Sequence, residues 1–419
     1  MGRISEWDWE VGQKTVVKSL SPLDGHVWQE EPYVSPDGET LAAVVNLGEG
    51  EFTFRTNDTV WEATFEKIWK PYFSPDGRLT GLCQQDMEWA LGVDGELVGE
   101  TCDYVWETKF SQDGAAIATM HKAAEQYCVS VNGELWETLY ENANQYTISD
   151  NGKHSAAVVQ VAPLAQADIE GFKKGIYSVA IDGEAWAGKY QNVWTPVFDA
   201  DGLRVAAQVR TSVHEYTIAV DNEPWPNTFN QVWEPVFHPE GQYVAAPVRV
   251  AGKWGVARDG AILWKTNYAQ CLKLQFSPKG DKLWGIVAPK YGKFTIACND
   301  VPWKSTFPVV TDLVLSPVGD RAGCIASNNN TEFRVVVDDK AWPGSWDMAW
   351  PVAFSPNGVN AGAMVEKGGK FHILVNGKSY ERSFDQAWPP VFSEDGSKVL
   401  IRAIENNSYV RIVADVAQF

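Results

Sequence analysis

The feature that most constrains this chain is a turn that recurs along its whole length. A glycine follows Ser-Pro-Asp, or a variant of it, ten times, and successive glycines are 39, 37, 38, 50, 39, 39, 39, 39 and 38 residues apart. The glycines are Gly38, Gly77, Gly114, Gly152, Gly202, Gly241, Gly280, Gly319, Gly358 and Gly396. A nearly constant period of this length indicates a repeat architecture, and a single interval departs from it.

Each repeat has the pattern of four short β-strands. The residue four positions before the glycine is apolar in all ten repeats, and eight of the ten residues four positions after it are Ala or Gly. A β-branched and aromatic segment follows, such as Tyr216–Val220, and it ends in a tight turn such as Asp182-Gly183. A Trp-bearing strand comes next. Four strands in about 39 residues, repeated, are typical of propeller blades.

The sequence therefore predicts an all-β fold, a β-propeller of ten four-stranded blades. Asp24–Trp28 resembles a fourth strand without a blade before it, and the last repeat stops after its third strand, near Asp415. We therefore expect an N-terminal strand to complete the final blade and close the ring. The alternative is two five-bladed propellers, because propellers commonly have four to eight blades. That alternative would separate the third and fourth strands of the fifth repeat, across the hairpin Ala219–Trp225.

Fourteen of the twenty tryptophans fall into two columns of the repeat, which favours packing between blades over ligand stacking. Eight follow the tight hairpin, namely Trp28, Trp61, Trp136, Trp186, Trp225, Trp264, Trp303 and Trp342. Six begin the first strand, namely Trp69, Trp106, Trp194, Trp233, Trp350 and Trp388. The others are predicted to be better placed for contacts with a partner, and they are Trp7, Trp9, Trp89, Trp254, Trp284 and Trp346.

The sequence contains no recognised catalytic or cofactor motif. There is no G-x-S-x-G, Walker, H-E-x-x-H or C-x-x-C-H pattern, and the six cysteines and six histidines are dispersed. Most carboxylates lie in the recurring turns, and a turn role accounts for them. We therefore predict that the chain is not an enzyme and has no catalytic, cofactor-binding or metal-binding residues. The cysteines are predicted to be free thiols in strands.

Net charge and hydropathy limit which classes of partner and which cellular location we expect. The net charge of −19 disfavours binding to nucleic acid and to anionic lipid. The sequence has no apolar run that could act as a signal peptide or cross a membrane. These properties predict a cytoplasmic protein.

Two segments depart from the repeat and are predicted to bind partners, because function concentrates in irregular loops. The predicted domains are an N-terminal arm, residues 1–15, and a propeller, residues 16–419, with an insertion loop at residues 161–175. A tolerated surface insertion is the alternative interpretation of the loop. The candidate partner-binding residues are Trp7, Trp9, Ile169, Phe172, Lys173 and Lys174.

The repeat resembles a known superfamily. The pattern Trp-x-Pro-Val-Phe-Ser-Pro-Asp-Gly, followed by Val-Asp-Gly-Glu-x-Trp, is similar to WD40-like and TolB-like propellers, although the Trp-Asp ending is missing. With its twenty tryptophans, the chain more narrowly resembles the tryptophan-rich cytoplasmic subunit of the Tmc complex, a transmembrane redox complex of sulfate-reducing bacteria. The resemblance implies a cofactor-free accessory subunit beside an iron–sulfur subunit and a membrane cytochrome b. Such a subunit would be peripheral to the inner face of the cell membrane.

Two functions follow from these observations. The first is a non-catalytic scaffold or assembly subunit of a membrane-bound respiratory electron-transfer complex, which acts through protein–protein interaction. The alternative is a stand-alone propeller that binds a small molecule, sugar or peptide at the channel mouth, where it could also act as an enzyme.

Overall fold

The chain forms ten antiparallel sheets, one for each repeat, in a computed structural model that describes residues 4–166 and 168–419. The predicted fold, an all-β propeller of ten four-stranded blades, is confirmed. Within the described residues, helix is confined to α1 (Ile169–Lys173) and to 3-10 turns at Ile4–Glu6 and Val416–Gln418. None of these helices is long and apolar enough to cross a membrane.

The N-terminal strand and blades one to five contain the first 22 strands. The N-terminal strand is β1 (Gly12–Val17). Blade one has β2 (Trp28–Gln29), β3 (Tyr33–Val34), β4 (Leu41–Gly48), β5 (Glu51–Thr56) and β6 (Thr59–Val60). Blade two has β7 (Lys67–Phe73), β8 (Leu79–Gln85), β9 (Glu88–Val93) and β10 (Glu96–Cys102). Blade three has β11 (Tyr104–Phe110), β12 (Ile117–Ala123), β13 (Gln126–Val131) and β14 (Glu134–Leu135). Blade four has β15 (Ala143–Ile148), β16 (Ser155–Gln160), β17 (Tyr177–Ile181) and β18 (Glu184–Ala185). Blade five has β19 (Asn192–Phe198), β20 (Val205–Ser212), β21 (Glu215–Val220) and β22 (Glu223–Pro224).

Blades six to ten contain the remaining strands. Blade six has β23 (Gln231–Val232), β24 (Val236–Phe237), β25 (Val244–Val250), β26 (Lys253–Arg258) and β27 (Ala261–Tyr268). Blade seven has β28 (Gln270–Phe276), β29 (Leu283–Lys290), β30 (Lys293–Cys298) and β31 (Val301–Pro302). Blade eight has β32 (Val309–Leu315), β33 (Ala322–Ser327), β34 (Phe333–Val337) and β35 (Lys340–Ala341). Blade nine has β36 (Met348–Ala349), β37 (Ala353–Phe354), β38 (Ala361–Lys367), β39 (Lys370–Val375) and β40 (Lys378–Ser379). Blade ten has β41 (Gln386–Ala387), β42 (Val391–Phe392), β43 (Lys398–Glu405) and β44 (Ser408–Asp415).

The described chain divides into two compact units. One contains the residues up to Leu47, Phe54–Val60 and Tyr268–Phe419, and so holds most of blade one and blades seven to ten. The other contains Gly48–Thr53 and Trp61–Asn267, and so holds blades two to six. In both units the strands of a blade pair in the order first, second, third, fourth.

The turn between the third and fourth strands explains the recurring Asp or Asn. In blade five, Asp221 has a φ of 49°, and its carboxylate accepts a hydrogen bond of 2.8 Å from the backbone N–H of Val205 at the start of the second strand. Asn and Asp tolerate this left-handed conformation better than most other residues. The same contact is made by Asn57, Asp94, Asn132, Asp182, Asp259, Asn299, Asp338 and Asn376. These Asp and Asn side chains therefore have a structural role, which is to join the hairpin turn to the start of the second strand.

Side-chain hydrogen bonds also stabilise the Ser-Pro-Asp-Gly turn between the first and second strands. The Ser74 hydroxyl bonds to Asp76, and it also accepts a 3.0 Å hydrogen bond from the backbone N–H of Arg78. In several blades a side chain near this turn donates to a carbonyl oxygen of the following blade's turn, as Arg78 does to Gly114 at 2.7 Å and Arg321 to Gly358 at 3.1 Å. The repeated turn therefore also connects consecutive blades.

The hairpin tryptophans pack against the following blade. A Cβ added to Gly183 would lie 3.3 Å from Cβ of Trp136, and one added to Gly260 would lie 3.3 Å from Cβ of Trp225. Glycine at these turns therefore leaves space for the tryptophan of the preceding blade. For Trp136 and Trp225 the predicted packing role is confirmed.

The first-strand tryptophans rest on an aromatic residue of the third strand of their own blade. Trp233 stacks on Trp254 with ring centroids 5.4 Å apart, and Trp194 stacks on Tyr216 at 6.2 Å. This third-strand position is aromatic in every blade, a column that the sequence analysis did not identify. Its members are Phe52, Trp89, Tyr127, Tyr177, Tyr216, Trp254, Phe294, Phe333, Phe371 and Tyr409.

An N-terminal strand completes the last blade, as predicted, but it is a different segment from the one expected. Strand β1, Gly12–Val17, pairs antiparallel with β44. Trp28 instead begins β2, where it pairs with Asn46 in blade one, so its assignment to a fourth strand and to the hairpin column was wrong. The predicted boundary at residues 15 and 16 falls inside β1.

The alternative of two five-bladed propellers is wrong. It required the third and fourth strands of blade five to separate, yet β21 and β22 pair through Ala219 with Pro224 and Val220 with Glu223. The hairpin that the sequence predicts at this point is intact.

Burial of one histidine gives a testable pH dependence. His121 in β12 is buried, its Nδ1 lies 3.3 Å from Sγ of Cys102, and its Nε2 lies 2.8 Å from the Thr119 hydroxyl. Burial lowers the pKa of His121 from 6.5 to about 4, because the imidazolium loses its hydration. The unfolded chain therefore binds this proton at a higher pH than the folded chain does.

We expect the free energy of unfolding to fall by about 3 kcal/mol as the pH falls from 6.5 towards 4 through this one group. The contribution is fully present above pH 6.5. Urea unfolding midpoints at pH 7 and pH 4.5 measure it, and His121→Gln should remove this part of the pH dependence. The exposed His214 provides the control, since His214→Gln should leave the dependence unchanged. Equal pH dependence in the two variants would contradict the assignment.

Candidate functional site

Each blade has two loop edges that differ in regularity. The Ser-Pro-Asp-Gly turn and the third-to-fourth hairpin lie at one edge, where Arg204 contacts Asp221 at 2.7 Å and Arg321 contacts Asp338 at 2.7 Å. Their polar groups are used in the turns described above. The opposite edge carries the loop between the second and third strands and the connection to the next blade, and the insertion belongs to that edge.

The insertion joins β16 to β17 and contains the short helix α1. The Asp168 carboxylate accepts a 2.8 Å hydrogen bond from the backbone N–H of Gly171 and caps the helix. Gln191 Nε2 donates to the carbonyl oxygen of Lys173 at 3.1 Å, and Ile176 after the helix is buried. The insertion is thus attached to the body of blade four at its C-terminal end.

The structure places the predicted residues of the insertion on this one helix and its C-cap. Ile169 is 65% exposed, whereas Phe172 is half-buried. Lys173 and Lys174 are exposed, and Lys173 pairs with Glu170 at 2.8 Å. Because that pair offsets one positive charge, the loop is less basic than its sequence indicates.

A cleft of about 270 Å³ lies at the base of the insertion. It opens between blades three and four, and its walls combine apolar side chains with two amides and one carboxylate. The lining residues are Gln126, Leu139, Tyr140, Glu141, Gln160, Val161, Ala162 and Pro163. The hydroxyl of Tyr140 donates to the carbonyl oxygen of Gly183 at 2.7 Å, so this wall of the cleft is fixed in place.

A run of aromatic rings extends along the same edge through blades two and three. Trp69 lies 4.5 Å from Trp89 and 6.0 Å from Tyr104 between ring centroids. Tyr104 stacks on Trp106 at 5.9 Å, and Trp106 meets Tyr127 edge to face at 5.9 Å. Trp89 is buried, but Trp69 and Tyr104 are 43% and 37% exposed. The rings of Trp69 and Tyr104 are therefore exposed at the surface, and both pack against the buried ring of Trp89.

Exposed apolar side chains thus occur near this edge in three consecutive blades, and we call them together the apolar edge. Its members lie in second-to-third loops, in the connections between blades or, for Trp69 and Tyr104, in the first strands of blades two and three. They are Trp69, Met87, Tyr104, Leu139, Leu164 and Ile169. An exposed apolar stretch on a highly charged protein marks an interaction surface more often than an isolated exposed side chain does.

The N-terminal arm is fastened to blade ten. Trp7 and Trp9 stack with centroids 6.1 Å apart, both half-buried, and Trp9 Nε1 donates to the carbonyl oxygen of Ile4 at 2.7 Å. Lys398 Nζ donates to the carbonyl oxygen of Trp9 at 2.7 Å. Part of each indole is therefore accessible, although both rings have contacts inside the chain.

Three of the other four tryptophans that we predicted to contact a partner lie in the core, so that prediction was wrong for those three. Trp89, Trp254 and Trp284 are buried, and the first two occupy the third-strand aromatic column. Trp346 is half-buried and forms a bridge with Phe333.

Sequence reasoning named Ile169 and included Leu164 in the predicted insertion loop, but it missed the other four members of the apolar edge. Trp69 was assigned to a packing column, and Tyr104 and Leu139 have no distinctive spacing. Met87 offers the one usable signal, because it is an apolar residue in the second position of a two-residue turn, with a φ of 65°. Glycine or a polar residue is expected there.

The cysteines, histidines and carboxylates form no metal centre in the part of the chain that the structure describes. No group of three or more of these side chains is arranged to hold an ion there. All six cysteines are free thiols, five of them buried, as predicted. Burial raises the pKa of Cys83 and Cys324 to about 12, so these thiols are neutral at ordinary pH.

No family model and no curated protein matches this chain. Among solved structures, it is similar to a eukaryotic initiation factor, with a TM-score of 0.47 and 13% identity over 83% of this chain and 93% of that one. It is also similar to the β-propeller domain of Myceliophteria thermophila Cps50 (Swd1), with a TM-score of 0.31 and 13% identity over 65% of this chain and 96% of that one. At these values neither structure indicates a function.

Proposed function

We propose that this chain is a non-catalytic scaffold that binds partner proteins through the apolar edge of blades two to four. The observation that carries the proposal is the recurrence of exposed apolar side chains in blades two to four, from Trp69 to Ile169, beside the buried ring of Trp89 and on a capped helix. Rigid aromatic side chains lose little entropy when a partner binds, and they are frequent among the residues that dominate binding energy.

The polar residues of the blades support a structural role. The recurring Asp, Asn and Ser side chains accept hydrogen bonds from backbone N–H groups of their own blades. His154, an ionisable group at the regular edge, contacts the turn residue Asp182 at 2.6 Å. These groups have a structural use in each blade, and we propose that none of them performs chemistry.

We further propose that the scaffold belongs to a membrane-bound respiratory electron-transfer complex. Its partners would be an iron–sulfur subunit and a membrane cytochrome b, which would hold it at the inner, cytoplasmic face of the cell membrane. The support for this assignment is the resemblance of the repeat and of the tryptophan content to the tryptophan-rich subunit of the Tmc complex. An extended apolar edge on a chain of net charge −19 fits a subunit that is held by other proteins and not by anionic lipid.

Charged substitutions on the apolar edge test the proposal. The triple variant Met87→Asp/Leu164→Asp/Ile169→Asp should lose at least tenfold in affinity for the partner subunits, because each change places a carboxylate where apolar contact is required. Co-expression with the iron–sulfur subunit and cytochrome b, followed by affinity purification and quantified gels, measures the retained fraction.

A control variant changes three exposed apolar residues outside the apolar edge. Tyr291, Val301 and Val359 are 96%, 67% and 65% exposed and lie in blades seven and nine. Their triple Asp variant should keep wild-type association. If both triple variants retain the partners, the apolar edge is not the docking surface. If the wild-type chain binds neither subunit, the respiratory assignment is wrong.

A further inference from the structure

A second site lies in blades nine, ten and one, where the first strands are broken. In six other blades the residue in the middle of the first strand has a positive φ, for example 48° at Thr195 and 53° at Lys273, and this residue forms a bulge. In blades nine and ten that residue is Pro351 or Pro389. The proline ring fixes φ near −65°, so the bulge cannot form.

In these blades the first strand consists of two short strands separated by residues that do not pair. The first strand of blade nine is divided into β36 and β37, and that of blade ten into β41 and β42. Blades one and six are broken in the same way, between β2 and β3 and between β23 and β24, and Glu31 lies in the gap of blade one. Blades nine, ten and one follow one another, since Arg402 of blade ten contacts the carbonyl oxygen of Ser35 in blade one at 3.1 Å.

A pocket of about 430 Å³ lies beside the broken first strands of blades nine, ten and one. Its volume is within the range of small-ligand sites. Its walls are aromatic and aliphatic, with polar groups from blades one and ten. The lining residues are Glu31, Trp350, Met364, Phe371, Asp385, Gln386, Ala387, Trp388 and Pro389.

The aromatic walls are held by contacts within their blades. Trp350 packs on Phe371 with centroids 5.6 Å apart, and Trp388 meets Tyr409 edge to face at 5.9 Å. Met364 is buried between the strands, whereas both indoles are half-buried and line the pocket. The pocket therefore presents two fixed indoles from adjacent blades, which suits a flat or elongated aliphatic group.

The charged groups at the pocket favour a cation. Among the described lining residues there are two carboxylates, Glu31 and Asp385, and no basic side chain. Asp385 is partly neutralised, because Lys370 Nζ bonds to it at 2.5 Å and the backbone N–H of Asn406 donates to it at 2.9 Å. Glu31 is exposed and carries the remaining charge. Negative aromatic faces beside a carboxylate attract guanidinium and ammonium groups.

We propose that this pocket binds the guanidinium side chain of an arginine in a basic segment of a partner protein. The aliphatic stem lies against the indoles of Trp350 and Trp388, and the guanidinium faces Glu31. The net charge of −19 favours approach by a basic segment. This site does not depend on the apolar edge, so either proposal can fail alone.

Two short peptides that differ only in charge test the proposal. N-acetyl-Gly-Arg-Gly-amide should bind the full chain at least tenfold more tightly than N-acetyl-Gly-citrulline-Gly-amide, whose side chain has nearly the same shape without the charge. Calorimetry at 0.15 M salt measures both affinities. The Glu31→Gln variant should weaken binding of the arginine peptide at least fivefold.

The control uses the corresponding residue of a blade that does not line the pocket. Glu234 occupies the same place in the repeat of blade six, so Glu234→Gln should leave the affinity unchanged. Thermal melting should show that both variants stay folded. Equal affinity for the two peptides, no detectable binding of the arginine peptide, or unchanged affinity in Glu31→Gln would overturn the proposal.

Discussion

Replacing Arg402 with alanine is expected to reduce the free energy of unfolding by about 3–5 kcal/mol. The guanidinium is buried and donates to three carbonyl oxygens, those of Ser35 at 3.1 Å, Pro36 at 3.3 Å and Pro389 at 2.8 Å. The first two belong to the turn of blade one, and the third to blade ten. Removing Arg402 leaves these acceptors without their donor and opens a cavity beside them.

Neighbouring side chains of β43 and β44 cannot take over this role, since each already has a partner in blade one. The Tyr409 hydroxyl donates to the carbonyl oxygen of Gly38 at 2.8 Å, and Arg411 Nε donates to that of Asp37 at 2.9 Å. Arg411 also pairs with Glu39 at 3.0 Å. The contact between the last and first blades therefore depends on three buried side chains, those of Arg402, Tyr409 and Arg411.

Arg321 provides the matched control. It makes the equivalent contact between blades eight and nine, with hydrogen bonds to Gly358 at 3.1 Å and Val359 at 2.6 Å, but its side chain is more exposed. Arg321→Ala should cost about 1 kcal/mol, because water can solvate the freed carbonyls. Urea unfolding midpoints of the two variants measure the difference. If both variants lose the same free energy of unfolding, the deeper burial of Arg402 does not increase its contribution to stability.

Most of the fold could be predicted from the sequence because the same physical requirement recurs ten times. A Ser-Pro-Asp-Gly turn requires a glycine with positive φ, and a tight hairpin requires Asp, Asn or Gly at its tip. Gly38, for example, has a φ of 75°. Ten spaced copies of such turns determine the number of strands and their order.

The chain ends were harder to predict because local pattern and pairing disagree there. Asp24–Trp28 has the Asp-Gly and Trp of a hairpin, yet Trp28 pairs with Asn46 as part of a first strand. The Ser-Pro-Asp-Gly turn at Gly38 lies ten residues after Trp28, just as the turn at Gly77 lies ten residues after Lys67, the first residue of β7. Distance from the turn was therefore the better guide to strand identity than resemblance to the hairpin.

The candidate sites were less predictable, since exposure depends on what packs above each residue. Trp69 and Trp106 share a column, but Trp69 is exposed while Trp106 is half-buried between Tyr104 and Tyr127. The pocket of blades nine, ten and one had a visible signal in Pro351 and Pro389. That signal could be interpreted only once the positive φ of the other blades was known.

Removing β1 is expected to have the largest effect of all on this protein. The strand forms the outer edge of blade ten, where Gly12 pairs with Val413 and Val17 with Tyr409. Without it, the eight residues of β44, five of them apolar, become an open edge. An exposed edge of this kind pairs with other chains, so deletion of residues 1–18 should cause aggregation.

A shorter deletion separates the strand from the arm. Removing residues 1–9 eliminates the Trp7–Trp9 stack but keeps β1, so the protein should remain soluble and monomeric with a melting temperature within a few degrees of wild type. Adding a synthetic peptide of residues 4–20 to the longer deletion during refolding should restore the monomer, because the peptide can pair with β44. Light scattering and size-exclusion chromatography measure both outcomes. If the variant without residues 1–18 is monomeric and has the same melting temperature as the full-length protein, β44 does not need β1 as its partner.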